Sequence, residues 1–290
     1  VKTIHNGIEY ADMQMIAEVY GVMRDHLKMD APTIAAVFSA WSTGPLDSSL
    51  IDITADVLKV NDAATGRPIV DIIVDAAGQK GTGRWSAIES QMMGVPATAI
   101  EAAVAARSLS AMRAQRARAE KTFGLPVEHG RRTGQEVIDD LENALLAGKI
   151  AAYAQGFAVM AAASDEFNWN LPMQTIARIW RAGCIIRSRF LGEIATAFGT
   201  DPDVPNLALA PAFSKMILDT DAGLRRIVSE AALNGLPVPA LSSALGYFDT
   251  YRRARGTANL IQAQRDFFGA HGFERLDADG EHHGPWGGQG

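Results

Sequence analysis

Residues 134–166, GQEVIDDLENALLAGKIAAYAQGFAVMAAASDE, form a largely apolar stretch that contains no proline. Because proline breaks helix interiors, this stretch predicts one long helix. In the rest of the chain, apolar residues also recur at steps of three and four. No segment shows a sustained alternation of β-branched residues, so no convincing strand is predicted. The sequence therefore predicts an all-α fold.

The helix boundaries follow from capping residues and from helix breakers. The opening stretch predicts a long helix that ends at about His26. Asp30 and Pro32 fit the start of the next helix, as a cap and a first-turn residue. Further helices are predicted at 31–42, 48–59, 67–75, 83–93, 97–121, 172–182, 187–198, 221–234, 238–254 and 258–268.

The chain divides at 120–134, where proline, glycine and charged residues cluster as in a linker. The segments on either side, about 1–120 and 135–275, share a weak sequence similarity. Each has a helix that ends in Trp-x-x-Gly, at Trp41–Gly44 and at Trp180–Gly183. We predict a duplicated helical bundle, with a long N-terminal connecting helix, over residues 1–275. Chance similarity between two amphipathic helices stays an alternative.

Composition limits the function classes and the setting of the chain. The net charge of −6 argues against a nucleic-acid partner, which would favour a basic stripe. The only cysteine, Cys184, excludes an internal disulfide and fits a cytoplasmic protein. No uncharged apolar run approaches 18 residues, so no membrane partner is expected. The chain starts without a methionine and in the middle of a helix, so we expect it to be a fragment.

The C-terminal tail, residues 276–290, is polar and rich in glycine. It has too little apolar content to fold alone, and we expect an extended arm. If such an arm is threaded through another subunit, Trp286 should be partly covered.

The opening helix carries polar residues at i, i+3, i+4 and i+7, which are Lys2, His5, Asn6 and Glu9. This spacing puts all four on one face, which becomes apolar further along the helix. A buried stripe that is polar at one end predicts a polar cavity suited to proton transfer. A lysine there can act as a base where burial or nearby cations favour its neutral form. A solvated face with a Lys/Glu pair is the alternative.

A second polar stretch, IVDAAGQKGTGRW at 73–85, frames Lys80 and Thr82 with three glycines. Glycine lets backbone N–H groups approach an anion closely, and the two side chains add a charge and a short donor. The spacing is not that of a Walker loop or of a dinucleotide fingerprint. The stretch is therefore either an anion-binding loop or a flexible connection between helices.

Two further stretches contain isolated basic residues. Arg107 lies in the otherwise small and apolar AVAARSLS, where it either extends to the surface or faces an anion. Arg265 and His271 lie among phenylalanines in LIQAQRDFFGAHGFERL, where the aromatic residues could anchor the segment. The histidine spacing matches no metal-binding pattern, so no metal site is expected.

Taken together, KTIHNGIEYADMQ, VDAAGQKGTGRW, WRAGCIIRSRFL and ANLIQAQRDFFGAHGFE resemble the all-helical C-terminal region of decarboxylating 6-phosphogluconate dehydrogenase. The resemblance extends over nearly the whole chain, while the N-terminal dinucleotide-binding domain of that family is missing from it. The resemblance implies oxidation of 6-phosphogluconate with NADP as cofactor, followed by loss of CO2 to give ribulose 5-phosphate in the pentose phosphate pathway.

The resemblance also implies residue roles. Lys2 corresponds to the general base, and Glu9 to the general acid. The residues that match contacts to the sugar acid are His5 and Asn6, and those that match contacts to the phosphate are Tyr10, Lys80, Thr82 and Arg107. The family is a homodimer whose tail reaches the other subunit, and the residues that match this contact are Arg265 and His271.

Two alternatives stay open from the sequence. A related β-hydroxyacid dehydrogenase would act on a smaller acid without phosphate, which the cluster of phosphate-type residues disfavours. A catalytically silent helical dimerisation fragment would need no substrate. Without a nucleotide-binding domain, the isolated chain is expected to be inactive.

Overall fold

The computed structural model describes residues 1–286, and these contain twelve α-helices and one two-stranded ribbon, which confirms the all-α prediction. The helices are α1 Lys2–Gly21, α2 Ala31–Trp41, α3 Ser49–Lys59, α4 Thr82–Met92, α5 Thr98–Ala111, α6 Arg113–Phe123, α7 Gln135–Glu166, α8 Met173–Arg181, α9 Phe190–Thr200, α10 Pro211–Asn234, α11 Pro239–Tyr251 and α12 Ala258–Gly269. The strands are β1 Phe273–Glu274 and β2 Glu281–His282. A π-helical turn, Val22–His26, extends α1 to the predicted end of the opening helix.

Helix α7 is the centre of the core and packs against α1, α5 and α10. Its length and composition would allow it to cross a membrane, but 83% of its most apolar window is buried inside the protein. Burial of this kind is typical of a core helix. Helix α1 packs on α7 with one side and on α4 and α5 with another. Shorter pairs, α2 with α3 and α8 with α9, complete the helix packing.

Two glycines of α7 let α1 approach it closely. A Cβ atom on Gly156 would lie 2.6 Å from Cδ1 of Ile8, and one on Gly148 would lie 2.7 Å from Sδ of Met15. Real Cβ contacts are longer than this, so side chains at these two positions would push the helices apart. The small residues of α7 therefore decide where α1 lies.

A buried ion pair joins the same two helices. Lys149 Nζ of α7 lies 2.6 Å from each carboxylate oxygen of Asp12 on α1, and both side chains are essentially inaccessible to solvent. The ammonium group is also 3.5 Å from Oγ of Ser48, which caps α3. Because an unpaired charge in such a place is costly, the pair restricts how α1 can rotate on α7.

One turn further along α7, Tyr153 contacts the segment that leads into α9. Its hydroxyl donates to the carbonyl of Ile186 at 2.8 Å and lies 3.4 Å from Oγ of Ser188. Ser188 forms an antiparallel bridge with Ser48, so the segments before α3 and before α9 pair with each other. This pairing supports a duplicated bundle, and the duplication stays a prediction.

The described residues form two compact units, Val1–Tyr247 and the segment from Phe248 onward. In the second unit, α12 is followed by the ribbon, in which Phe273 pairs with His282. Strand β2 therefore lies inside the predicted tail, whose residues 287–290 are outside the described part of the chain.

The prediction of a helix at 67–75 is wrong. Only Ile69–Asp71 forms a short 3-10 turn there, after a bridge between Asn61 and Pro68. The apolar side chains after this turn, Ile72, Ile73 and Val74, are exposed, with Ile73 at 61%, whereas Ile69 and Val70 are half-buried. Helices in proteins depend mainly on packing of an apolar face, and the contact of this segment with α3 covers the short turn but leaves residues 72–74 exposed.

The predicted helix at 97–121 is interrupted at Met112, which has φ −84° and ψ 47°. Ser110 explains the break, since its hydroxyl donates to the carbonyl of Arg107 and its own carbonyl accepts from the Arg116 side chain. Serine groups that bond the nearby backbone compete with helical hydrogen bonds. The result is two helices, α5 and α6.

Other boundaries differ by a few residues, with one larger exception. Helix α10 was predicted at 221–234 but begins at Pro211. Proline at the first helical position is a start signal, because its missing N–H would have no intrahelical partner there. Gly235, with φ 63°, ends this helix in the left-handed region.

We predict that Lys149→Met lowers the free energy of unfolding of the chain by about 3–5 kcal/mol, because it leaves the Asp12 carboxylate buried without its partner. Urea denaturation followed by circular dichroism measures the change. The matched control is Lys59→Met, which breaks an exposed pair with Asp56 and should change stability by less than about 1 kcal/mol. Equal effects of the two substitutions would contradict the assigned role of the buried pair.

Glu18 is a second buried charge on α1, and it caps the start of α11. Its carboxylate accepts from the backbone N–H groups of Ala240 at 2.8 Å and Leu241 at 2.9 Å, and from the side chain of Gln14 at 3.0 Å. Burial raises the pKa of Glu18 to about 7, against 4.5 ordinarily, although the three hydrogen bonds oppose the rise. Between pH 4.5 and about 7, Glu18 therefore keeps its proton in the folded chain, whereas it loses that proton in the unfolded chain.

We predict that the free energy of unfolding falls as pH rises from about 4.5 to about 7, by roughly 3 kcal/mol from Glu18 alone. Glu18→Gln should remove this part of the pH slope, whatever its effect on absolute stability. Urea denaturation at several pH values between 4 and 8 tests this. The control Glu120→Gln, on the exposed helix α6, should keep the slope of the unchanged chain.

Candidate functional site

The first turns of α1 carry polar residues at different depths. Lys2 is exposed, Asn6 and Glu9 are half-buried, and His5 and Tyr10 are buried. The helical spacing predicted from the sequence is confirmed, because α1 runs without interruption through all five positions. The polar end of the buried stripe therefore lies partly inside the protein.

Helix α4 lies against this end of α1 because of two glycines. A Cβ atom on Gly7 would lie 2.6 Å from Cβ of Ser86, and one on Gly83 would lie 2.3 Å from the ring of Tyr10. The hydroxyl of Ser86 donates to the carbonyl of Thr3. The Tyr10 ring thus rests directly on the backbone of α4.

The glycine-framed loop leads into the N-terminus of α4. Gly81 has φ 89°, a conformation that favours glycine, and Thr82 is the first residue of the helix. Lys80 and Thr82 are both exposed. Thr82 directly precedes Gly83, whose backbone meets the Tyr10 ring, so the loop ends beside that ring. Backbone N–H groups at a helix start, together with a lysine, suit an anion.

The other side of the loop is held by the end of α5. The backbone N–H of Ala77 donates to Oγ of Ser110 at 3.0 Å, and the side chain of Gln79 donates to Oγ of Ser108 at 3.3 Å. An ion pair between Asp75 and Arg116 holds the start of the loop.

Arg107 lies at the centre of this arrangement. Its guanidinium carbon is 4.0 Å from the ring centroid of Tyr10, and Nη2 is 3.8 Å from Sδ of Met13. A guanidinium over an aromatic face is a favourable cation–π contact. Arg107 therefore packs on Tyr10 beside the loop, and its positive charge partly offsets the rise that burial causes in the pKa of Glu9.

Burial shifts the pKa values of Glu9 and His5 on α1 in opposite directions. Burial raises the pKa of Glu9 above its ordinary value, and the charges of Lys2 and Arg107 reduce that rise. Burial also lowers the pKa of His5, with a further contribution from Lys2. A carboxyl whose pKa is raised holds its proton more tightly and so suits a proton donor, and a neutral imidazole can both donate and accept a hydrogen bond.

His5 is the most unusual residue of the site. It is 3% exposed, and neither ring nitrogen makes a well-aligned hydrogen bond within residues 1–286, although the nearby Asn6 side chain partly offsets the fall in the His5 pKa. Its ring meets that of Trp180 edge-to-face at 5.4 Å. A buried polar group without a partner costs about 1–3 kcal/mol, and such a group is a natural contact for a ligand.

Two residues near the site were not predicted from the sequence to belong to it. Trp180 packs on His5, and the half-buried Cys184 lies close enough for the charges of Lys2 and Glu9 to affect its pKa, which burial raises. The stretch WRAGCIIRSRFL carries part of the family resemblance, but its spacing alone gives no sign of contact with α1.

Arg265 and His271 belong to the second unit and are exposed there. Arg265 Nη1 donates to Oε1 of Gln262 at 3.0 Å, and the His271 ring lies 6.2 Å from that of Phe268.

Among the described residues, no group of three or more His, Cys, Asp or Glu side chains could hold a metal ion.

Comparison with known proteins gives a family. Residues 1–286 match the family described as "6-phosphogluconate dehydrogenase, C-terminal domain". A decarboxylating 6-phosphogluconate dehydrogenase of Synechococcus elongatus is 48% identical over 289 residues, which are 99% of this chain and 61% of that protein. Two Bacillus subtilis enzymes, described as NADP(+)-dependent and NAD(+)-dependent, are 46% and 44% identical, and each is matched over 61% of its length.

A solved structure has the same fold. The 6-phosphogluconate dehydrogenase of Plasmodium falciparum, described in apo form, with NADP+ and with 6-phosphogluconate, superposes with a TM-score of 0.95 at 41% identity. The superposition covers 98% of this chain and 62% of that one. The chain thus spans about three-fifths of the relatives that it matches, and it belongs to the family of 6-phosphogluconate dehydrogenase C-terminal domains.

Proposed function

We propose that this chain forms the helical part of a decarboxylating 6-phosphogluconate dehydrogenase, which oxidises 6-phosphogluconate and releases CO2 and ribulose 5-phosphate. The observation that carries the proposal is the buried His5, whose ring nitrogens make no well-aligned hydrogen bond within residues 1–286, on the helix that also bears Lys2 and Glu9. The relatives named above supply the reaction, and the site's geometry fits it.

The substrate has a carboxylate at one end and a phosphate at the other, and so brings about three negative charges. The residues proposed to bind its phosphate are Tyr10, Lys80, Thr82 and Arg107. Charge-assisted hydrogen bonds contribute roughly 1.5–3 kcal/mol each, so a few cations suffice on a chain of net charge −6. The contact of the Tyr10 ring with Gly83 and Arg107 supports this grouping.

Lys2 is proposed as the general base and Glu9 as the general acid. As the base, Lys2 takes the proton of the 3-hydroxyl as that carbon is oxidised. The resulting ketone is β to the carboxylate, so CO2 leaves readily when a cation stabilises the enolate that forms. Glu9 then protonates the carbon of the enediol. The raised pKa of Glu9 supports this role, because an acid must hold its proton until that step.

His5 and Asn6 are proposed to bind oxygens of the sugar acid between these two groups. They lie one turn from Lys2 and one turn from Glu9 on the same helix. A ligand oxygen would satisfy a His5 nitrogen that makes no well-aligned hydrogen bond among the described residues. Such a contact would stabilise both the substrate and the folded site.

A nicotinamide dinucleotide would accept the hydride in this reaction, and we propose NADP. The described residues do not suit such a cofactor by themselves, since the strands in them are two residues long and form a single ribbon with no strand–turn–helix phosphate site. The proposal therefore assigns the cofactor to the part of the relatives' length that lies outside this chain. The 290 residues alone should be inactive.

Arg265 and His271 are proposed to complete the substrate site of the other subunit in a homodimer. Both are exposed on the second unit, as a group that reaches another chain must be. A cytoplasmic enzyme of this kind has no need of disulfides, and the chain has a single cysteine. Nucleic acid and membrane are not proposed as partners.

The proposal predicts that Lys2→Met lowers kcat for NADP reduction by about 10²–10⁴-fold, since proton transfer by a positioned base contributes that much. The assay uses this sequence joined to an upstream dinucleotide-binding domain, with 6-phosphogluconate as substrate. The control Lys59→Met, on an exposed face of α3, should keep full activity. Absence of activity before any substitution, or indifference to Lys2→Met, would overturn the proposal.

Glu9→Gln should lower kcat by about 10²-fold or more, because the amide cannot supply the last proton. In D2O, solvent deuterium is incorporated at C1 of ribulose 5-phosphate, which NMR detects, and the variant should show slow incorporation. In the unchanged enzyme, activity should decline on the alkaline side as Glu9 loses its proton. An unchanged rate of incorporation in the variant would rule out Glu9 as the acid.

A further inference from the structure

Asp266 is a buried carboxylate between exposed neighbours in the last turn of α12. It is 3% exposed, while Arg265 before it and Phe267 after it are exposed. The proposed function does not use it.

The Asp266 carboxylate binds four donors, one from the turn after α12 and three from the tail. Oδ1 accepts from the backbone N–H of Gly272 at 2.9 Å and lies 2.6 Å from Nδ1 of His283. Oδ2 accepts from the backbone N–H of Gly284 at 2.9 Å and from Nε1 of Trp286 at 2.6 Å. A carboxylate has about four lone-pair positions, so this one is fully used.

Asp266 and its donor Gly272 are direct sequence neighbours of the two residues proposed to reach the other subunit. Arg265 directly precedes Asp266, and His271 directly precedes Gly272. Gln262 adds a second tie, since its Oε1 accepts from Arg265 and its Nε2 donates to the carbonyl of Gly272 at 2.5 Å. The turn that carries His271 and the helix that carries Arg265 are thus joined at two points.

Aromatic packing covers the same cluster. The Trp286 ring lies 6.4 Å from the ring of Phe267 on α12 and 6.4 Å from that of Phe273 on β1. Because its Nε1 bonds Asp266, the end of the described chain folds back over the carboxylate. Asp266 therefore links α12, the turn after it, and the tail.

We propose that Asp266 is a positioning residue, which fixes Arg265 and His271 relative to each other for the anionic substrate of the other subunit. This inference rests on the proposed function. A carboxylate can accept all four hydrogen bonds, whereas an amide at the same place would direct its NH2 group at two donors. Asp266→Asn should therefore loosen the turn without removing either substrate contact.

The test measures steady-state kinetics of the enzyme with its dinucleotide-binding domain. Asp266→Asn should raise KM for 6-phosphogluconate by about tenfold, the scale of one lost charge-assisted contact, with kcat and the KM for NADP nearly unchanged. The matched control is Asp277→Asn, an exposed aspartate of the same tail that pairs with Arg275. It should change no kinetic constant by more than about twofold.

Coupling to Arg265 separates positioning from simple folding. Arg265→Ala should itself raise KM for 6-phosphogluconate. Adding Asp266→Asn to Arg265→Ala should raise it less than the same change does in the unchanged enzyme, because one of the positioned groups is gone. Trp286→Phe removes one donor and keeps the charge, so it should give a smaller rise in KM and keep the fold.

The outcomes are distinguishable. An active enzyme in which Arg265→Ala raises KM while Asp266→Asn and Trp286→Phe do not would overturn the positioning role alone. A fall in kcat and in the affinities for both substrates together, or full additivity with Arg265→Ala, would also overturn it. An unchanged enzyme without activity on 6-phosphogluconate would overturn the proposed function, and this inference with it.

Discussion

Asp12 and Lys149 meet in the interior between α1 and α7, where both side chains are shielded from solvent. Ion pairs in such places add little net stability, but they penalise every arrangement that separates the charges. A rotation of α1 about its axis, or a slide of one turn along α7, would separate them. Asp12 lies one turn beyond Glu9, so the constraint acts close to the polar end of the helix. The orientation of the site residues therefore depends on a pair that touches none of them.

The close contacts of α1 with its other neighbours have the same effect. Gly156 lets the Ile8 side chain pack directly on the backbone of α7. Gly7 and Gly83 let α4 pack closely on another side of α1. The site is thus built from one helix that is fixed on two sides by backbone contact. Rigid secondary structure of this kind places polar groups more accurately than loops do, which matters for proton transfer over hydrogen-bond distances.

Much of the fold and of the site composition could be predicted from the sequence, because helical periodicity is a local signal. The opening helix and α7 were predicted almost to the residue, and the face of Lys2, His5 and Glu9 follows from spacing alone. The prediction at 67–75 failed because the sequence contains an apolar segment but does not show whether anything packs on it. The contact of Trp180 with His5 joins residues far apart in sequence, and no local pattern encodes such a contact. The same holds for the four donors of Asp266.

The segment from Asp75 to Gly81 is tied to its neighbours through the hydroxyl groups of Ser108 and Ser110. Glycine-rich loops commonly lose a large part of their conformational entropy only when a ligand orders them, and the affinity is weakened by that amount. Here the ordering occurs when the protein folds. A phosphate group that enters this loop would keep nearly all of the free energy of its contacts. An acid without a phosphate group would gain nothing from the ordered loop, so under the proposed function this loop would favour a phosphorylated acid over an unphosphorylated one.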